Sequence, residues 1–212
     1  MGAESELRDL WLQSRERLVE RRLLAAEGAS LSIRCPDSDM MWFGLAADGL
    51  PMPVAWTSPV ADEPASIHAA IYRLRPDAGA IAGGGGFFGA RLVDFGGFIP
   101  QVFDEQARHL GPMGDVVHHA GDLPRSLSRG GNAILIQSVP FCLGTTAMRM
   151  AQNVELFEKC ATAYVLAIAA GGPVKPLPWL VRWIANGRLR KDQRRATERF
   201  AAGLLPEESR GY

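Results

Sequence analysis

Three groups of residues in this chain could do chemistry by type and spacing. Gly84-Gly85-Gly86-Phe87-Phe88-Gly89 follows the G-x-G-x-x-G pattern, whose backbone amides can approach an anion at the start of a helix. A dinucleotide site also needs a full crossover helix and an acid about 20 residues further on. Here only a short segment fits before Phe95-Gly96-Gly97, and Asp104-Glu105 open a helix instead of ending a strand. The glycines therefore read as positions of close backbone approach or as an anion-binding nest of amides. The second group is the histidines, His68, His109, His118 and His119. Adjacent strand residues point to opposite faces, so His118 and His119 do not share one simple site. One of them could combine with Glu63, Asp115 or Asp122. His68 reads as a hydrogen-bonded histidine beside the apolar face of its helix, and His109 as exposed. The third group is the basic run Arg188, Arg190, Lys191, Arg194 and Arg195. Without interleaved aromatics it reads as a solvated or subunit-docking helix and not as a nucleic-acid site. Cys142 has no neighbouring base to lower its pKa and reads as a buried, inert thiol.

These residues must be positioned by alternating helices and strands. The spacing of Leu7, Leu10, Trp11 and Leu18 predicts a helix over about Glu6–Ala26 that stops near Gly28. Strands follow at Leu31–Arg34 and Met40–Gly44, around the turn Cys35-Pro36-Asp37-Ser38. Leu45–Glu63, with Pro51, Pro53 and Pro59, reads as loop or edge strand. Ile67, Ala70, Ile71 and Leu74 predict a helix between Pro64 and Pro76. A strand at Ala78–Ala82 enters the glycines, and a third helix is expected from Phe87. Further on come a short helix at Phe103–Leu110, a strand at Val116–His119 and a central strand at Ala133–Gln137. A long helix over Thr146–Ala170 carries the stripe Ala147, Met150, Val154, Phe157, Ala161, Tyr164 and Ile168, closed by Gly171-Gly172-Pro173. Trp179–Ala185 and Leu189–Ala202 read as two helices separated by Asn186-Gly187.

Composition bounds the answer. The chain has 212 residues, 47% of them hydrophobic, enough to bury a core without staples. Its 23 basic and 23 acidic residues cancel, so overall charge points to neither nucleic acid nor a membrane surface. The balance hides an asymmetry: residues 171–212 hold nine basic and four acidic residues, and the preceding acidic body offsets that surplus. Three separated cysteines make no disulfide framework and suit a reducing, cytoplasmic setting. The longest mostly apolar stretch, Cys160–Ala170, is too short for a membrane span. The Glu- and Arg-rich N-terminus lacks the apolar core of a signal peptide.

The order of motifs resembles the class II aldolase/adducin-type family over roughly residues 5–178. The resemblance is carried by Gly28, Ser32 and Arg34; by Ile67 through Ala80 with its Arg75-Pro76-Asp77; by Phe103 through Arg108; by Asn132 through Ile136; and by the long helix ending in Gly171-Gly172-Pro173. It implies a three-layer α/β/α sandwich around a mostly antiparallel sheet, assembled as a homo-oligomer, usually a tetramer. Residues 1–178 would form that domain, and residues 179–212 a helical extension packed on it or on a neighbouring subunit. Catalytic members hold a divalent metal that stabilises an enediolate, with a carboxylate nearby to move the proton. The family's His-x-His pair falls on Gly83 and Gly85, its third histidine on Ser138 or Val139, and its catalytic Glu on Pro64, one residue from Glu63. The phosphate loop is replaced by Phe43-Gly44-Leu45-Ala46, and Ala29 stands at the usual Asn.

The expectation is therefore a relative without the family zinc site and with no cofactor. It would bind a small anionic ligand or be non-catalytic toward the ancestral reaction. Gly28, Ser32, Gly83, Gly85 and His118 are the candidate ligand-binding residues. The alternative is an aldol-cleaving or decarboxylating lyase on a small carbonyl or carboxylate substrate, with Glu63 and His119 as the catalytic candidates of a rebuilt site.

Overall fold

The computed structural model describes residues 3–58 and 63–208. The chain runs α1 (Ala3–Glu20), β1 (Ser30–Arg34), β2 (Met40–Leu45), β3 (Met52–Ala55), α2 (Glu63–Leu74), β4 (Ala80–Gly83), α3 (Leu123–Leu127), β5 (Ala133–Ile136), β6 (Val139–Gly144), α4 (Ala147–Ala169) and α5 (Trp179–Ala201). The six strands form one sheet in the order β3-β2-β1-β4-β6-β5, and every neighbouring pair is antiparallel.

Strand alternation explains the layers. On one face Leu31, Ile33, Ala80, Ala82, Ala133, Leu135 and Cys142 pack with Trp11 and Leu18 of α1 and with Met150, Val154 and Phe157 of α4. On the other face Met41, Phe43, Ile81, Ile134, Phe141 and Leu143 pack with Ala69, Ile71 and Tyr72 of α2 and Leu123 and Leu127 of α3. Successive strand residues thus feed two separate cores, which makes the molecule a three-layer sandwich. The Trp11 indole fits over Gly44, where a Cβ would stand 2.7 Å from its ring, and its Nε1 donates to the Leu31 carbonyl at 3.0 Å.

The Arg75-Pro76-Asp77 turn is a buried clasp. Arg75 Nε and Nη2 donate to the two Asp77 oxygens at 2.8 and 2.7 Å, and Nη2 also reaches Asn132 Oδ1 at 2.8 Å. A bidentate pair of this kind fixes direction as well as distance. It sets the entry of β4 against the start of β5.

Several elements differ from the sequence expectation. The segment Ala133–Gln137, expected as a central strand, is the margin strand β5; beyond it, among the described residues, only Val117 makes an isolated bridge, to Ile136. The expected strand Val116–His119 reduces to that bridge. The sequence pattern does not predict strand β6, because Pro140 breaks its alternation and only Gln137 and Ser138 separate it from β5. Gln137 takes a left-handed φ of 55° to make the tight turn. No α-helix starts at Phe87; turns and one 3-10 turn (Leu92–Phe95) occupy that stretch, and Gln106–Leu110 is a π turn. Helix α4 agrees with its stripe as far as Ala161; beyond that Val165 is buried, Tyr164 half-buried and Ile168 exposed. Thr146 caps its start by accepting from the Arg149 amide at 3.1 Å, and Gly171, at φ 72°, ends it. Finally, α5 runs unbroken through Asn186-Gly187, despite the ~1 kcal/mol that a mid-helix glycine costs.

The C-terminal half of α5 lies against the body. The Arg34 guanidinium is stacked between Phe200 and Trp56, 4.6 and 4.8 Å from the ring centroids. Gln193 Nε2 donates to the Gly130 carbonyl at 2.8 Å, and Arg108 pairs with Asp192 at 2.6 Å.

Candidate functional site

Strand β4 delivers Gly83 to the middle of the sheet edge, between Ser30 on β1 and Phe141 on β6. There is no room on these glycines for a larger side chain. A Cβ on Gly83 would stand 2.6 Å from the Phe141 ring, and one on Gly85 2.6 Å from the Pro140 ring. Gly85 also holds φ at 65°, where a side chain adds strain. The loop is anchored on both sides. Gly84 N donates to the Pro140 carbonyl at 2.9 Å and Ala25 N to the Gly85 carbonyl at 3.2 Å.

Beyond Gly85 the backbone turns its amides toward α4. The Phe88 amide donates to Glu158 Oε1 at 2.7 Å, and those of Gly89 and Gly86 to Oε2 at 2.9 and 3.2 Å. This is an anion nest, and the anion is the chain's own carboxylate. Glu158 lies about 70 residues from its donors in sequence, so nothing local marks it as a partner. The only sequence sign is an acid on the side of a helix whose stripe is otherwise apolar.

Beneath Gly83, between the sheet and α2, lies a polar group sealed in apolar surroundings. His68 is fully buried. Ser32 Oγ stands 2.7 Å from its Nδ1 and Ser30 Oγ 3.0 Å from its Nε2, while Ser32 Oγ also meets the Tyr72 hydroxyl at 2.9 Å. A neutral imidazole has one donor and one acceptor, so one serine donates to it and the other accepts from it. The edges of Phe43 and Phe141 close the ring in at centroid distances of 5.3 and 5.7 Å. Burial pushes the imidazole pKa down to about 3 and the Tyr72 phenol above its usual range.

The sequence candidates fall in two places. Gly28, exposed at φ 72°, and Ser32, buried against His68, lie on β1 and its entry, next to Gly83 and Gly85 on β4 and its exit. His118 and His119 are exposed and follow the Val117 bridge, so β6 and β5 separate them from β4. That is about 14 Å of sheet at the usual strand spacing. The His119 amide donates to the Asp122 carboxylate at 3.0 Å. Glu63 opens α2, but its side chain lies outside the described residues. Among the described residues no group of three His, Cys, Asp or Glu side chains is placed to hold a metal ion. The side chains that would meet a Cβ on Gly83 and Gly85 are Phe141 and Pro140, neither of which can ligate a cation. Cys142 and Cys160 are buried thiols with raised pKa, Cys160 to about 12.

A large cleft lies at the opposite end of β4. About 1020 Å³ lies between the C-terminal half of α5 and the start of α4, bordered by Arg108, His109, Thr145, Arg149, Arg195 and Arg199 and by the acids Asp192, Glu198, Glu207 and Glu208. Arg149 Nη1 donates to His109 Nδ1 at 3.2 Å. Burial, and then the guanidinium groups of Arg149 and Arg108, hold the His109 pKa down to about 4. His109, expected on the surface, is half-buried here. Sequence reading had no signal for this cleft, since its walls come from four separate segments.

No family model matches the sequence, and no curated protein sequence does either. Solved structures do. YgbL from Escherichia coli, described as a candidate aldolase/epimerase/decarboxylase, superposes with a TM-score of 0.69 at 19% identity, covering 87% of this chain and 100% of its own. L-fuculose 1-phosphate aldolase from Glaciozyma antarctica PI12 gives 0.70 at 17% identity, over 96% and 92% of the two chains. An aldolase II superfamily protein from Pseudomonas syringae gives 0.65 at 14% identity, over 98% and 97%. Among the described residues no helix is long and apolar enough to cross a membrane. The chain has the class II aldolase-type fold.

Proposed function

We propose that this chain uses the class II aldolase-type fold to bind a small anionic molecule and does not carry out the metal-assisted aldol reaction. One observation carries the reading. The strand end from which two side chains would reach a metal is filled by Phe141 and Pro140, and the amides beyond it are taken up by Glu158. What those contacts close at one end of β4, the cleft beside α5 leaves open at the other. Its volume is at the upper end of small-molecule pockets. Arg149 and Arg195 border it together, and guanidinium forks suit carboxylate or phosphate. The acids there are partly engaged already, Asp192 by Arg108 and Glu207, at 3.9 Å, by Arg199. Assembly as a homo-oligomer is proposed separately from ligand binding.

The test combines metal analysis with ligand titration. The purified protein should hold no stoichiometric divalent metal. Inorganic phosphate or malonate should raise its melting temperature, and the R149Q/R195Q variant should lose that response. One tightly held metal ion per chain, together with cleavage of L-fuculose 1-phosphate that is lost in H119A or E63Q, would establish the lyase reading instead.

A further inference from the structure

Helix α5 separates its outward-facing apolar and cationic side chains along its length. Ala185, Leu189, Ala196 and Phe200 are buried and fix its inner face. On the opposite side Trp179 and Trp183 are 69% and 67% exposed, with Leu180 and Ile184 about half exposed. Farther along the same side stand Arg190, Lys191 and Arg194, all exposed. Between the two halves Gly187 leaves open space where a Cβ would be. At about 100° per residue, positions 180, 183, 184, 187, 190, 191 and 194 share one sector roughly 120° wide. A helix that lies on a bilayer flanks its apolar face with cations along its whole length. Here the division runs end to end, and such a helix is complementary to itself when reversed.

We infer that α5 pairs antiparallel with α5 of a second copy of this chain, about a two-fold axis beside Gly187. Reversal about that point sets Trp183 between Arg190 and Arg194 of the partner subunit, with guanidinium groups over the indole. It lays Ile184 along the stem of Lys191 of the partner subunit. The two cationic halves end up at opposite ends of the pair, so like charges stay apart. Each contact is made twice, as a two-fold interface requires. The missing side chain at Gly187 lets the helices approach closely at the crossing. None of this depends on the ligand-binding reading above.

A cysteine placed on the axis tests the pairing directly. Cys35, Cys142 and Cys160 are buried, so the wild type should not cross-link under mild oxidation. G187C should form a covalent dimer on a non-reducing gel. Ala201 is exposed at the far end of the helix, about 20 Å along the axis from Gly187; A201C should therefore stay monomeric on the gel. Adding W183A to G187C should weaken dimer formation about tenfold, and adding R190E/R194E should do the same. Circular dichroism on each variant checks that the helix is retained. Absence of the G187C dimer, equal cross-linking of A201C, or indifference to W183A overturns the pairing. Uncross-linked protein that sediments with phosphatidylserine vesicles through Trp183 would give the face to a lipid surface and overturn it too.

Discussion

The two ends of β4 are filled in opposite ways. At its exit Gly83 and Gly85 are covered by Phe141 and Pro140, and the following amides converge on Glu158. Every donor there is backbone, already fixed by the loop, so little conformational freedom is lost in making the contacts. At its entrance the walls of the cleft are partly exposed arginines and acidic side chains joined in pairs such as Arg108–Asp192. Those side chains have many rotamers and ready access to water, so an incoming ion can replace one partner by another. The closed end is held because its polar groups are matched within the chain; under the proposed function the open end takes a ligand because its matches are exchangeable.

The largest effect should come from forcing the closed end open. G83H/G85H puts two imidazoles where Phe141 and Pro140 stand, one of them at a left-handed φ. Overpacking and backbone strain together should cost about 5 kcal/mol, lowering the melting temperature by roughly 10–20 °C. Zinc should not restore it. If zinc instead raised the melting point of this variant sharply, the contrast between the two ends would fail, because the packed end could still be reshaped into a metal site.

A smaller and more selective effect separates the two buried histidines. His68 sits at the closed end and has a pKa of about 3, while His109 borders the cleft with a pKa of about 4. Both lie below the ordinary value of 6.5, so in that window the unfolded chain binds more protons than the folded one. Stability is therefore full above about pH 6.5 and falls as pH drops toward the folded pKa values. His68 should account for most of this, roughly 4 kcal/mol by pH 3, since it has no water to turn to. Urea unfolding at pH 7 and pH 3 should show a slope that both H68Q and H109Q flatten, H68Q the more, because His109 is half-exposed and water screens its shift. Equal flattening by the two would mean that the entrance is as dry as the exit.

The open and closed ends also differ in how far sequence reveals them. Strands β1, β2 and β4 and helix α4 follow from local pattern, because each alternates or stripes against a core on a known side. Strand β6 does not: Pro140 breaks its pattern, although the same ring later closes over Gly85. The glycine loop announces an anion but not its source, because Glu158 approaches from α4. At α5 the Asn186-Gly187 pair argues locally for a break, yet Ala185 and Leu189 on either side are buried against the body and carry the helix through. The entrance cleft is invisible in sequence, since charged residues there look the same as any solvated face. Short-range order was legible, and contacts made across the fold were not.

The last prediction sets one carboxylate contact from each end side by side. E158A removes a carboxylate that accepts three backbone amides, whose directions are fixed by the loop whether or not the acceptor is present. Left behind, those donors can be only partly hydrated in a half-buried loop, and the loss should be about 3 kcal/mol. E158Q keeps the size and one oxygen, so it should cost about half of that. R108A removes the partner of Asp192 at 2.6 Å, a shorter contact on paper. Both of its side chains reach solvent, however, and each must surrender rotamer freedom to hold the other, so the pair should be worth about 0.5 kcal/mol. That corresponds to roughly 1–2 °C in melting temperature, and 0.5 M salt should abolish it while leaving most of the E158A effect. If R108A proved as damaging as E158A, or as insensitive to salt, the entrance charges would be fixed scaffolding and not an exchangeable lining.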